Sequence, residues 1–211
     1  VTTSVLFLTH TGEVGGAELS LIDIARARRK LSTVALLADG PLRARMHAEG
    51  IDVVTVPASA ALQTVRRGTR IPSLPALGAA AQSAVRIAKL ARSHDVIYAN
   101  SQKALTVAAA ASVMVQRPLI WHLHDILSHD HFSSANIRIA VTLANGCATR
   151  VIANSIATAQ AFVAAGGQRD IVRVVYNAVD ARPHAAVAAE RNVRARVRAA
   201  AGLDPNAPMI G

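Results

Sequence analysis

The chain is short of several things, and each shortage closes off a class of protein. One cysteine, Cys147, occurs in 211 residues, so an internal disulfide is impossible and a reducing cytoplasm is the simpler setting. Aromatic residues make up 3% of the chain against 52% apolar. A core must therefore be built from Ala, Val, Leu and Ile, side chains small enough for helices to lie close on a parallel sheet. Basic residues without aromatic companions lack the stacking platforms of single-strand binders. No zinc-finger or RNP-like signature is present either, and nucleic acid is not an expected partner.

Other absences narrow the field further. No basic stretch and apolar run precede the opening VTTSVLFLTH, so a secretory signal is not expected. The longest apolar run, 104–115, is well short of the roughly 20 residues that a membrane span needs. A cytoplasmic protein, at most peripheral at the inner face of the membrane, is the expectation. The dinucleotide fingerprint G-x-G-x-x-G, a Walker lysine and a G-x-S-x-G elbow are all missing. Cys147 has no activating neighbour in sequence, so covalent catalysis is unsupported.

Acidic residues are scarce beside basic ones, 13 against 23, for a formal charge of +10. An Arg-rich composition explains this as readily as attraction to an anionic substrate or lipid surface. The most concentrated stretch, 58–73, holds Arg66, Arg67 and Arg70 beside Gly68 and Pro72. It reads as an exposed connection, continued by Arg86, Lys89 and Arg92 on the next helix. Peripheral contact with anionic membrane fits that pattern; a solvated basic face gives the same one.

What the chain does have is alternation. Apolar runs suited to buried strands occur at 5–9, 34–38, 53–56, 96–99, 119–123, 150–153 and 172–176. Helical periodicity fills most gaps, at 17–31, 42–49, 75–92, 102–115 and 156–165. This order predicts an α/β, Rossmann-like, doubly wound parallel sheet with helices on both faces. A charged, Ala-rich helix follows at 184–202, and Pro208-Met209-Ile210-Gly211 reads as the opening of another strand. The expected division is a domain at 1–182, then a linker helix and the start of a second domain at 183–211.

Ligands of doubly wound sheets gather beyond the carboxyl ends of the strands. After the first strand come Thr9-His10-Thr11-Gly12-Glu13-Val14-Gly15-Gly16-Ala17-Glu18. Gly15 and Gly16 permit positive φ and close backbone approach, at a helix N-terminus able to meet an anion; a tight turn would also need glycine. After the fifth strand comes Trp121-His122-Leu123-His124-Asp125. Alternation puts His122 and His124 on one face, Trp121 and Leu123 on the other. A hydrogen-bonding or proton-transfer role for His124, oriented by Asp125, is the economical reading. A metal site drawing on His129, Asp130 or His131, as in a hydrolase using His122, His124 and His131, stays open. Asn100-Ser101, Asn154-Ser155 and Asn177 follow three further strands. Ser101 and Ser155 suit helix caps, while strand ends offering Asn, Ser and His suit a hydroxyl-rich ligand.

In order, GGAE at 15–18, DVIYANS at 95–101, HLHD at 122–125, VIANS at 151–155 and VVYNAVD at 174–180 resemble the N-terminal domain of GT-B glycosyltransferases of family GT4. The resemblance covers nearly the whole chain. It implies two Rossmann-like domains around a cleft, the first mainly holding the acceptor and the second binding a nucleotide sugar. Transfer in such enzymes usually retains anomeric configuration and needs no metal or other cofactor. By position, Gly15, Gly16 and Glu18 would border the donor phosphate or acceptor, with Asn100, Ser101, Asp125 and Ser155 as further binding positions. His124 would stand beside the reacting sugar as the catalytic candidate, and Asn177 would mark the approach to the hinge. Ala178 stands where the family commonly has the glycine of N-G-V-D, a departure that puts the local backbone geometry in question. The acceptor would be a sugar, a polyol or a lipid-linked molecule. This chain alone is then expected to bind weakly and transfer nothing. A non-catalytic binding or interaction module on the same fold remains the rival reading.

Overall fold

Seven runs of the apolar pattern become seven parallel strands, ordered β3-β2-β1-β4-β5-β6-β7. The computed structural model describes residues 3–56, 74–178 and 192–204, together with 185 and 207. The basic connection at 58–73 lies outside them. The strands are β1 Val5–Thr9, β2 Ser32–Leu36, β3 Asp52–Thr55, β4 Val96–Ala99, β5 Leu119–Leu123, β6 Ala148–Ala153 and β7 Val172–Val174. The described helices are α1 Gly16–Ala27, α2 Pro41–Ala48, α3 Leu74–Ala91, α4 Gln102–Val115, α5 Ser134–Cys147, α6 Ile156–Ala164 and α7 Val193–Ala200. The chain forms two compact units, Val1–Tyr176 and Asn177–Gly211. The described helix of the second is α7, whose Arg198 donates to the carbonyl of Asp204 at 2.7 Å.

Strand alternation sorts the core of the first unit onto two faces. Leu6, Leu8, Ala35, Ile97, Ala99, Leu119, Trp121 and Val151 point to one, where Ala84, Ile87, Ala108, Ile137, Val141 and Phe162 of α3 to α6 meet them. Phe7, Val34, Leu36 and Tyr98 point to the other, against Leu21, Ile22 and Ala25 of α1 and Leu42 and Met46 of α2. The helix that packs over β4 and β5 buries Ala104, Ala108, Ala109 and Ala111, as a nearly aromatic-free sequence requires. The largest buried side chain on that face, Trp121, lies edge-on to Phe162, with ring centroids 6.2 Å apart. Its indole N–H finds no partner among the described residues.

Helix α1 is shorter than its periodicity predicts. It ends at Ala27, where the Arg28 amide donates to the Ala25 carbonyl and the Arg29 amide to the Arg26 carbonyl. Arg28, Arg29 and Lys30 form the turn into β2 instead. Helix α5, for which the sequence gives no expectation, is capped by Ser133, whose hydroxyl accepts from the Asn136 amide. Its inward residues Ile137, Ala140, Val141 and Ala144 fall at i, i+3, i+4 and i+7.

Candidate functional site

The chain turns back on itself between β1 and β4, neighbours in the sheet whose following helices lie on opposite faces. That switch point is where a doubly wound sheet opens a crevice. Asn100, fully buried, stands just beyond β4 and bridges it. Its backbone amide donates to Leu8 of β1 at 2.8 Å, and its Nδ2 donates to the carbonyl of Ala17 in the first turn of α1 at 3.1 Å.

From Asn100 a polar chain runs along the carboxyl edge. His124 Nε2 lies 3.0 Å from Asn100 Oδ1. Asn154 Nδ2 donates to the His124 carbonyl at 3.0 Å, and Thr158 Oγ1 donates to Asn154 Oδ1 at 2.9 Å. Ser155 Oγ lies 2.9 Å from Thr158 Oγ1 and caps α6 by accepting from the Thr158 amide. Ser101 caps α4 in the same way, accepting from the Ala104 amide. Both serines thus hold helix starts at the edge, the capping role their positions suggest. The ring of His124 is bonded to Asn100, while Asp125 acts on it through charge.

Behind this edge sits a second histidine. The rings of His122 and His124 lie 3.8 Å apart, and His122 Nδ1 lies 2.8 Å from the Tyr98 hydroxyl. Burial pushes His122 down to about 3, and neighbouring His124 adds to the effect. Burial also lowers His124, against an upward pull from Asp125. Burial drives the Tyr98 phenol well above its usual value. All three groups are neutral at physiological pH, and the two imidazoles, tilted by 40°, form a close pair that two imidazolium charges would break. Among the described residues no group of three or more His, Cys, Asp and Glu is placed to hold a metal ion; each ring gives one nitrogen to a protein partner, and His122 Nε2 is buried without one among those residues.

The loop before α1 supplies the third side. Gly15 caps the helix in extended geometry, φ −119°, so positive φ is not why glycine stands there. Sterics do not demand glycine either: a Cβ on Gly16 would meet nothing within 4 Å, and one on Gly15 would meet a single movable atom, a Glu18 carboxylate oxygen at 3.0 Å. The helix start is therefore open backbone apart from Glu18, whose other oxygen accepts from Thr9 Oγ1 at 3.2 Å. Gly12 has a firmer role that its sequence position does not advertise. A Cβ there would fall 2.3 Å from the Asp39 backbone, and Gly40 faces it with the same demand. The Gly12 carbonyl also accepts from the Leu42 amide at 2.8 Å, satisfying the first turn of α2. Asn177, exposed, opens the second unit.

A Rossmann-like half of a GT-B fold, with its polar edge at the switch point, is the class that this geometry defines. The profile of Glycosyltransferase Family 4 matches residues 14–182. Alr3699/HepE of Anabaena, crystallised with UDP and glucose, is 39% identical at a TM-score of 0.79, over 95% of this chain and 50% of that one. The same protein has been solved with UDP-glucose, at 38% identity and TM-score 0.78, over 95% and 50%. A glycosyltransferase of Rickettsia africae shares the fold at 14% identity and TM-score 0.75, over 98% and 51%. No curated protein matches the chain. The chain belongs to Glycosyltransferase Family 4 and spans about half the length of these solved relatives.

Proposed function

We propose that this chain is the acceptor-side domain of a glycosyltransferase that moves a sugar from a nucleotide-sugar donor to a polar or lipid-linked acceptor, with retention and without a metal. The observation that carries the reading is the Asn100–His124 pair at the switch point, 3.0 Å apart and beside the open start of α1, in a chain of this family. His124 is the residue beside the reacting sugar. Gly15 and Gly16 offer backbone amides to phosphate or acceptor, and Glu18, Asn100, Ser101, Asp125 and Ser155 border the ligand or hold its wall. Asn177 leads to the donor-binding half, in which nucleotide recognition resides. The solved relative binds UDP and glucose, so UDP-glucose is the donor to try first.

In a protein carrying both halves, transfer from UDP-glucose is expected, and His124→Ala should lower kcat by roughly tenfold to a hundredfold. Undiminished transfer by that variant overturns the role of His124. Full transfer by residues 1–211 alone overturns the division of labour. Saturable ligand binding with no transfer to any acceptor by the two-domain protein would favour a non-catalytic module instead.

A further inference from the structure

We propose that Asn100 is a positioning residue that locks His124 in its Nε2–H tautomer, so that Nδ1 presents a lone pair to a sugar hydroxyl. The inference rests on the reading above for the sugar, and on hydrogen-bond chemistry alone for the lock.

The carbonyl of Ala17 can only accept, so the Asn100 atom 3.1 Å from it must be the amide nitrogen. The remaining atom of that side chain is then Oδ1, which can only accept. His124 Nε2, 3.0 Å from Oδ1, must therefore carry a hydrogen. A neutral imidazole has one N–H, so Nδ1 keeps its lone pair. Turning the Asn100 amide over would set oxygen against the Ala17 oxygen and place its N–H₂ against Nε2. Oxygen facing oxygen breaks the bond to α1, and Asn100 has no water to fall back on because it is fully buried.

The ring cannot shift easily to escape this arrangement. Its backbone carbonyl is held by Asn154, and its face lies against His122. Nδ1 takes no hydrogen-bond partner among the described residues, and His124 itself is only half-buried. A neutral ring held this way accepts a hydroxyl proton at Nδ1. Giving a proton from that atom would first require imidazolium, which the buried setting opposes. The two roles that sequence leaves open for His124 thus separate, and acceptance is the one the geometry assigns.

Two-bond ¹H–¹⁵N correlation spectra of this chain at neutral pH test the lock, with His122 as an internal reference. His124 is expected to show a protonated Nε2 and a bare Nδ1. Asn100→Ala should give a mixture of tautomers. Asn100→Asp should keep Nε2–H, because a carboxylate still accepts from the ring, although it gives up the bond to the Ala17 carbonyl and costs stability. A wild-type His124 protonated at Nδ1 overturns the proposal even if Asn100→Ala fails to fold, and so does a pure Nε2–H signal in that variant. With UDP-glucose and the two-domain protein, kcat should fall about tenfold in Asn100→Ala, with partial recovery in Asn100→Asp. An altered tautomer with unchanged transfer would uphold the lock and overturn the placement of the sugar at His124.

Discussion

His122 and His124 must both stay neutral for their ring centroids to lie 3.8 Å apart at the end of β5, and that requirement ties stability to pH. Folded-state pKa values of both are depressed, His122 to about 3. The unfolded chain, with histidines near 6.5, binds more protons across the interval below that value. The His122 contribution is complete above about pH 6.5 and falls as pH drops toward 3, by up to about 1.4 kcal/mol per pH unit, and His124 adds a loss of the same sign. Urea unfolding between pH 7 and 4 should show the midpoint moving to lower urea. His122→Phe should flatten part of that slope. It should also cost about 1–3 kcal/mol at neutral pH by leaving Tyr98 without its partner. A midpoint independent of pH over this range would show that the histidines are not held neutral. At this scale the sequence is only half legible. The period of two puts His122 and His124 on one face, as found, but nothing local reveals that Asn100, 24 residues away, holds the ring.

At the scale of elements, the contact between the β1–α1 and β2–α2 loops holds the start of α2. Gly12 and Gly40 lie back to back, with no room for a methyl group on either. Gly12→Ala is expected to destabilise the first unit by about 1–3 kcal/mol, read by thermal unfolding, whereas Gly16→Ala should be nearly silent. A comparable loss from Gly16→Ala would mean that the helix start is not open. From sequence alone these glycines rank the other way, because adjacency draws attention to Gly15-Gly16 and contact between distant loops is invisible. The strands are legible because buried parallel strands are apolar runs. Three of them match their expected limits, while β2 and β6 begin earlier on residues that include Ser32, Thr33 and Thr149. Helix α5 escapes because its inward face is small and Asn136, Asn145 and Gly146 weaken its propensity.

At the scale of the molecule, the parallel sheet has two edges of different chemistry. The carboxyl edge gathers the hydrogen-bonding groups of Asn100, His124, Asn154 and Ser155 beside the carboxylates of Glu18 and Asp125. The amino edge gathers cations: Arg28, Arg29 and Lys30 before β2, Arg92 before β4 and Arg117 before β5, all exposed. Residues 26–31 line a cavity of about 400 Å³ there. No described helix is long and apolar enough to cross a membrane, and these exposed cations would exert an electrostatic attraction on an anionic bilayer. Exposed Arg86 and Lys89 on α3 would add to it. Co-sedimentation with liposomes should then rise with anionic lipid content and fall with salt. Binding indifferent to both would leave the charge as a solvated face.

Trp121 gives this molecule a built-in optical reporter. It is the one tryptophan in the chain, sits fully buried in β5 between Ile120 and His122, and precedes His124 by three residues. Its emission reports the first unit alone, free of overlapping signals from the second. Light emitted from that indole therefore registers the sheet beneath the candidate site, and a red shift on acidification would mark the moment water reaches it.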